Sequence, residues 1–303
     1  MIAPLKNMRF RKILCPVDFS EGSNAALAVA VRIANESAAN LVIAHAWQLP
    51  IGSALPEVAL PQDLYNDVLG AANEGLEHAV ATARKLGAQS VSSELLGGPP
   101  WAEVVQLLEH DAAFDLVIMG THGRTGVSRI LLGSVAEKIV RHAPCSVLAV
   151  RKTATDKPFT HVLCPIDFSE HSRVAVEMAV ELVRPWGAGI TLMHATDLPI
   201  NYSGVPLPAD FLANIDKLAS QQLEAWAAEL RDQVSLPIVT VSRGGLPTSE
   251  VLGMLDEDKT FDLVSVGSHG RTGIRRVLLG SVAETIVRHA RCPVLVARHR
   301  RAR

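Results

Sequence analysis

Two hydrophobic patterns alternate along the chain. Short runs dense in Val, Ile and Leu, "KILCPVD" (12–18), "NLVIAHAW" (40–47), "SVSSEL" (90–95), "FDLVIMG" (114–120) and "CSVLAV" (145–150), read as central strands buried on both faces. Between them, the stretches 22–38, 62–86, 100–112 and 134–142 read as helices. In 62–86, Leu64, Val68, Ala72, Leu76, Ala79, Val80, Ala83 and Leu86 form one stripe with charges opposite, the signature of a half-buried helix. Five strands alternating with four helices predict a parallel sheet covered on both faces. The second half repeats the pattern, with strands near 161–167, 189–195, 237–242, 262–267 and 293–297.

The repetition extends to the residues themselves. "ILCPVDFSEGS" (13–23) returns as "VLCPIDFSEHS" (162–172), and "GTHGRTGVSRILLGS" (120–134) returns as "GSHGRTGIRRVLLGS" (267–281). The offset between copies is 149 from Asp18 and Asp167 through His45 and His194 to Pro50 and Pro199, and 147 from Pro61 and Pro208 onward. A length change tolerated between those points marks an exposed loop. The expected architecture is therefore two tandem, doubly wound α/β domains, 1–152 and 160–303. A linker, 153–159, lies within the polar stretch "RKTATDKPF" (151–159).

Composition narrows the function. No apolar run reaches the roughly 18 residues that cross a bilayer, and the amino-terminal segment matches neither a signal peptide nor a lipidation motif. A cytoplasmic protein without a membrane role is expected. The net charge of −2 argues against a general nucleic-acid binder, the basic end "RHRRAR" (298–303) reading as a solvated tail. Cys15, Cys145, Cys164 and Cys292 are widely spaced with no CxxC pair, so buried free thiols are expected rather than a metal or redox site.

The chemistry concentrates in two loops per copy, at the carboxyl ends of strands, where open parallel sheets bind ligands. The first, "PVDFSEGS" and "PIDFSEHS", places Asp18 or Asp167 where it could accept hydrogen bonds from a ribose. Equally, the Asp could order the turn, with Ser20 or Ser169 capping the next helix. The second loop has the spacing G-x2-G-x9-G-S: Gly120, Gly123, Gly133 and Ser134, then Gly267, Gly270, Gly280 and Ser281. Glycine at the strand end permits unusual backbone angles and close approach to a ligand. The amides opening the next helix offer a phosphate seat. Arg124, Arg129, Arg271, Arg275 and Arg276 could add positive charge. "SVAE", at 134–137 and 281–284, also reads as a capping box in which Glu137 or Glu284 reaches back. His122 and His269 read as loop structure or ligand contacts rather than catalysts, and His142 and His289 as helix-dipole partners. No Walker loop and no GxGxxG at the first turn are present.

With "CPVDFSEGS" and "CPIDFSEHS", "DLVIMGTHGRTG" and "DLVSVGSHGRTG", and "LLGSVAEKIVRHAPCSVLAV" and "LLGSVAETIVRHARCPVLVA", the chain resembles a tandem universal stress protein over nearly its whole length. The intact G-x2-G-x9-G-S element places it with the ATP-binding members. The resemblance implies sheets ordered 3-2-1-4-5 and an ATP-dependent regulator of the stress response, with slow hydrolysis at most. An ATPase or adenylyl-transferring enzyme, or a scaffold with structural nucleotide, are the competing readings. ATP, with Mg2+, would lie across strands one and four. In the first copy its neighbours would be Pro16, Val17, Asp18, Ala46, Met119, Gly120, His122 and Gly123, with phosphates at Gly133, Ser134 and Val135. In the second they would be Pro165, Ile166, Asp167, Ala195, Val266, Gly267, His269 and Gly270, with phosphates at Gly280, Ser281 and Val282. The resemblance further implies domain pairing through the fifth strands, a homo-oligomer (commonly a homodimer), and a signalling partner. The loops 47–60 and 196–207 differ, so the two sites need not behave alike.

Overall fold

The computed structural model describes residues 10–48, 62–121, 132–152, 157–197, 209–270 and 279–299. They divide into two compact units, 10–152 and 157–299. The first contains β1 (Lys12–Pro16), α1 (Glu21–Ser37), β2 (Asn40–Trp47), α2 (Gln62–Lys85), β3 (Val91–Gly97), α3 (Pro100–His110), β4 (Leu116–Gly120), α4 (Ser134–His142) and β5 (Ser146–Val150). The second contains β6 (His161–Pro165), α5 (Glu170–Val183), a 3-10 turn at Arg184–Trp186, and β7 (Gly189–Thr196). It continues with α6 (Ala209–Arg231), β8 (Ile238–Gly244), α7 (Pro247–Glu257), β9 (Leu263–Gly267), α8 (Ser281–His289) and β10 (Val294–Ala297).

Within the first unit the strands run β3-β2-β1-β4-β5, and within the second β8-β7-β6-β9-β10, every described neighbour pairing there being parallel. Both follow the expected order 3-2-1-4-5. Apolar density explains the central strands: Ile13, Leu14 and Cys15 of β1, Leu116, Val117 and Ile118 of β4, and Val147 and Leu148 of β5 are all buried. Helices α1 and α5 contribute apolar faces such as Ala26, Leu27, Ala30 and Ile33, and Val176, Ala179, Val180 and Val183.

The reading of β3 as buried on both faces is corrected. Ser92, Ser93 and Glu94 are exposed, because β3 is the outer strand of its unit and its polar residues face water rather than a helix. The apolar stripe on α2 is corrected as well. Ala72, Leu76, Ala79 and Ala83 are buried, but Leu64 and Leu86 at its two ends are exposed. A helix of this length runs about 36 Å, whereas an eight-residue strand such as β2 spans about 26 Å, so the helix is about 10 Å longer than the strand.

All four cysteines are buried and unbridged. Burial pushes the Cys15 thiol up to about 12 and drives Cys164 upward too. Among the described residues, no helix is long and apolar enough to cross a membrane.

Candidate functional site

Strand order reverses between β1 and β4, and β6 and β9 stand in the same relation. The register joins β1 to β4 at Ile13↔Leu116 and Leu14↔Val117, near their amino ends, whereas β1 pairs with β2 along all five residues from Lys12 to Pro16. The second unit repeats this with Val162↔Leu263 and Leu163↔Val264. In open parallel sheets this reversal of strand order is the place where a crevice forms at the carboxyl ends of the strands.

The turn from β1 into α1 builds one wall. Asp18 Oδ1 accepts hydrogen bonds from the Ser20 amide (3.1 Å) and hydroxyl (2.6 Å), and Ser20 Oγ accepts from the Ser23 amide at 3.2 Å. In the second unit Asp167 Oδ1 accepts from the Ser169 amide at 3.0 Å, and Ser169 Oγ accepts from Ser172 at 3.2 Å. The turn-ordering role of the Asp and the capping role of the Ser are therefore both realised. A carboxylate offers about four acceptor positions, so the turn does not exhaust it.

Between Asp and Ser stands a residue whose importance no simple pattern announced. Phe19 and Phe168 have φ of 65° and 63°, a left-handed conformation that is costly for a bulky side chain. Each ring packs on a buried histidine: Phe19 on His45 with centroids 4.3 Å apart, Phe168 on His194 at 4.6 Å. Those histidines bond through Nδ1 to the carbonyls of Val17 (2.8 Å) and Ile166 (2.7 Å). The amides of Val17 and Ile166 donate to Ala44 and Met193 at 2.8 and 2.7 Å. The turn is thus clamped by the neighbouring strand. The only signal in the sequence was the recurrence of Phe and His at matching offsets in both copies.

The main-chain N–H and C=O of Val17 and Ile166 thus each take a hydrogen-bond partner inside the fold. Ala46 and Ala195 sit near the ends of β2 and β7, and Met119 and Val266 near the ends of β4 and β9, in ladder register with Ala149 and Val296. Pro16 and Pro165 end β1 and β6.

The opposite wall starts at Gly120 and Gly267, and here the expected role of glycine changes. Neither adopts positive φ. A Cβ on Gly120 would stand 2.8 Å from the Gly22 carbonyl carbon and oxygen; on Gly267 it would stand 2.7 Å from those of His171. These glycines let the first turn of α1 or α5 approach the strand end, so close helix packing, rather than strained angles, requires them here. Gly270 has a different neighbour, for its Cβ would lie 2.9 Å from Asp167 Oδ2. A side chain there would fill the space at the carboxylate.

Helices α4 and α8 begin at the same end of the crevice. The Gly133 amide donates to Thr121 at 2.8 Å, and the Gly280 amide to Ser268 at 2.8 Å, bringing each helix start beside the end of its preceding strand. The expected capping box is overturned. Gly133 and Gly280 occupy the N-cap position, Ser134 and Ser281 are the first helical residues, and no side-chain cap hydrogen bond forms. A glycine cap has no side-chain acceptor to offer. Glu137 and Glu284 instead pair forward with Arg141 (3.3 Å) and Arg288 (3.2 Å). The amides of Ser134 and Val135, and of Ser281 and Val282, thus open their helices without a side-chain cap, the arrangement that suits an anion.

His269 lies just past β9, its Nδ1 3.1 Å from Ser268 Oγ. His142 and His289 fall in the last turns of α4 and α8, as a dipole role requires. His122, Gly123, Arg124, Arg129, Arg271, Arg275 and Arg276 lie outside the described residues, as do most of the loops 47–60 and 196–207, residues 153–156 of the linker and the tail beyond His299.

Comparison with known proteins agrees with this architecture. The model of the universal stress protein family matches residues 9–151 and again 158–298. Universal stress protein Rv2005c of Mycobacterium tuberculosis is 33% identical over 230 residues, covering 73% of this chain and 72% of its own length. Universal stress protein Rv2623 of the same organism is 28% identical over 298 residues, covering 94% and 96%. Among solved structures, a universal stress protein from Archaeoglobus fulgidus superposes with a TM-score of 0.70 at 21% identity, covering 96% of this chain and 99% of that one, a likeness of fold. Two matches in succession account for both halves of the duplicated sequence, and the chain belongs to the universal stress protein family as a tandem of two such domains.

Proposed function

We propose that each domain binds ATP across its crevice and that the chain works as a nucleotide-dependent regulator in the stress response, with slow hydrolysis at most. One observation carries this reading: in both domains a nine-residue helix starts at a glycine N-cap, without a side-chain cap, beside the end of the fourth strand of that domain. The first-turn amides and the positive end of the helix dipole would take the phosphates, at Gly133, Ser134 and Val135 and at Gly280, Ser281 and Val282. Asp18 and Asp167, held at the strand ends, would take the ribose. Gly270 leaves room at the Asp167 carboxylate that any Cβ would occupy. Mg2+ would neutralise part of the phosphate charge when bound.

Mass spectrometry of nucleotide released from the purified chain, before and after incubation with Mg2+, tests this. ATP retained and unconverted supports a regulator; rapid conversion to ADP or AMP makes the protein an enzyme. Gly133→Val and Gly280→Val together should abolish retention. The Gly280 Cβ already meets His269 Cα and the Ser268 carbonyl at 3.4 Å, so further methyl groups intrude on the seat. Unaltered ATP content in that variant refutes the assignment.

A further inference from the structure

The two crevices share their glycines and acids but differ in a cluster of imidazoles. His171, second residue of α5, lies with its ring centroid 5.2 Å from that of His269 and 5.7 Å from that of His299. The three come from three separate elements: the start of α5, the end of β9 and the end of β10. Their link to the start of α8 runs through His269, whose Cα, like the Ser268 carbonyl oxygen, a Cβ on Gly280 would meet at 3.4 Å. By the repeat offsets, 149 and 147, the first domain has Gly22 in place of His171 and Lys152 in place of His299. Lys152 there forms an ion pair with Glu21.

Building on the nucleotide reading above, we propose that His171, His269 and His299 make the second domain's anion site acid-tightened. A polyphosphate at the start of α8 draws a proton onto this trio, so the second site binds MgATP more strongly as pH falls, while the first lacks the response.

The electrostatics give the sign. Without ligand, burial and then the fields of His269 and His299 hold His171 below its ordinary value of 6.5, against the opposing pull of Asp167 and Glu170. Glu170 is itself paired with Arg173 on the same helix, and Arg298 adjoins His299 in the chain. Imidazoles this close repel one another once charged, which limits proton uptake by the ligand-free cluster. A phosphate chain beside them reverses that field and favours the protonated form. Binding then takes up a proton, and by linkage affinity rises as pH falls, by up to about tenfold per pH unit for each proton taken up. The first domain keeps His122 at the position of His269, but its sequence lacks the other two imidazoles.

The test is equilibrium dialysis of MgATP against the full chain at about pH 8 and about pH 6, with calorimetry in buffers of different ionisation heat to count protons. Wild type is compared with the His171→Gln/His299→Gln double variant. Titration of the phosphates themselves is common to both proteins and cancels. In the wild type one of two sites should tighten roughly tenfold on acidification, with uptake of about one proton. The variant, whatever its affinity at pH 8, should lose both the acid tightening and the proton uptake. Identical pH dependence in the two proteins overturns the histidine proposal while leaving nucleotide binding standing. No MgATP bound at either pH overturns both. If the double variant does not fold, His299→Gln alone, at an exposed position, is judged by the same readouts, with a partial loss expected.

Discussion

Gly267→Ala separates two roles a glycine can play at a strand end. If it only admitted a ligand, a single methyl group would cost the ligand-free protein nothing. The structure says otherwise: the added Cβ would stand 2.7 Å from the His171 carbonyl carbon and oxygen and 2.9 Å from its Cβ. Reaching 3.4 Å, the lower edge of ordinary contact, requires the start of α5 to retreat by about 0.7 Å. The obstructing atoms are backbone, which cannot swing aside as a side chain would. Overpacking of this kind costs about 1–3 kcal/mol. Lower backbone entropy in the unfolded state returns about 0.4–1 kcal/mol, leaving at the midpoints of the two ranges a net loss of about 1.3 kcal/mol confined to the second domain. Urea denaturation gives the total, and hydrogen exchange read by mass spectrometry locates it in peptides from 157–299. Stability unchanged within about 0.5 kcal/mol, with normal protection at the start of α5, would refute the packing argument and return Gly267 to a ligand-only role.

Further outcomes follow from the same geometry. Ser169→Ala removes the acceptor for the Ser172 amide and should lower stability in chemical denaturation by about 0.5–2 kcal/mol, the usual cost of a lost N-cap. His194→Leu deletes the bond to the Ile166 carbonyl and leaves a buried acceptor unmet. A loss of about 1–3 kcal/mol is expected, with hydrogen-exchange protection falling first in the β6–α5 turn. Alkylation followed by mass spectrometry should leave Cys15 unmodified in the native protein at pH 8 and label it fully in denaturant, because burial pushes its thiol up to about 12. The same shift sets an alkaline limit. The stabilisation from Cys15 is intact below the ordinary thiol value of 9.0 and is lost as pH rises from there toward 12. Its slope approaches about 1.4 kcal/mol per pH unit, visible as a falling urea midpoint; a flat midpoint across that window would contradict it.

The sequence by itself determined the alternation of strand and helix and the duplication. Each of those is written in local periodicity or in the repetition of short motifs, which survive without knowledge of what packs on what. Tertiary structure decided the rest. β3 reads like the other strands until its position at the edge leaves Ser92, Ser93 and Glu94 facing water. The Ser-Val-Ala-Glu tetrads satisfy a capping-box pattern, yet the chain enters each helix one residue earlier and gives the cap to glycine. Gly120 and Gly267 serve helix packing through contacts far away in the chain, with Gly22 and His171. The imidazole cluster needs residues 171, 269 and 299 brought together from three elements. Periodicity reports the face a residue turns toward its own neighbours; it is silent on which distant backbone occupies the space beyond.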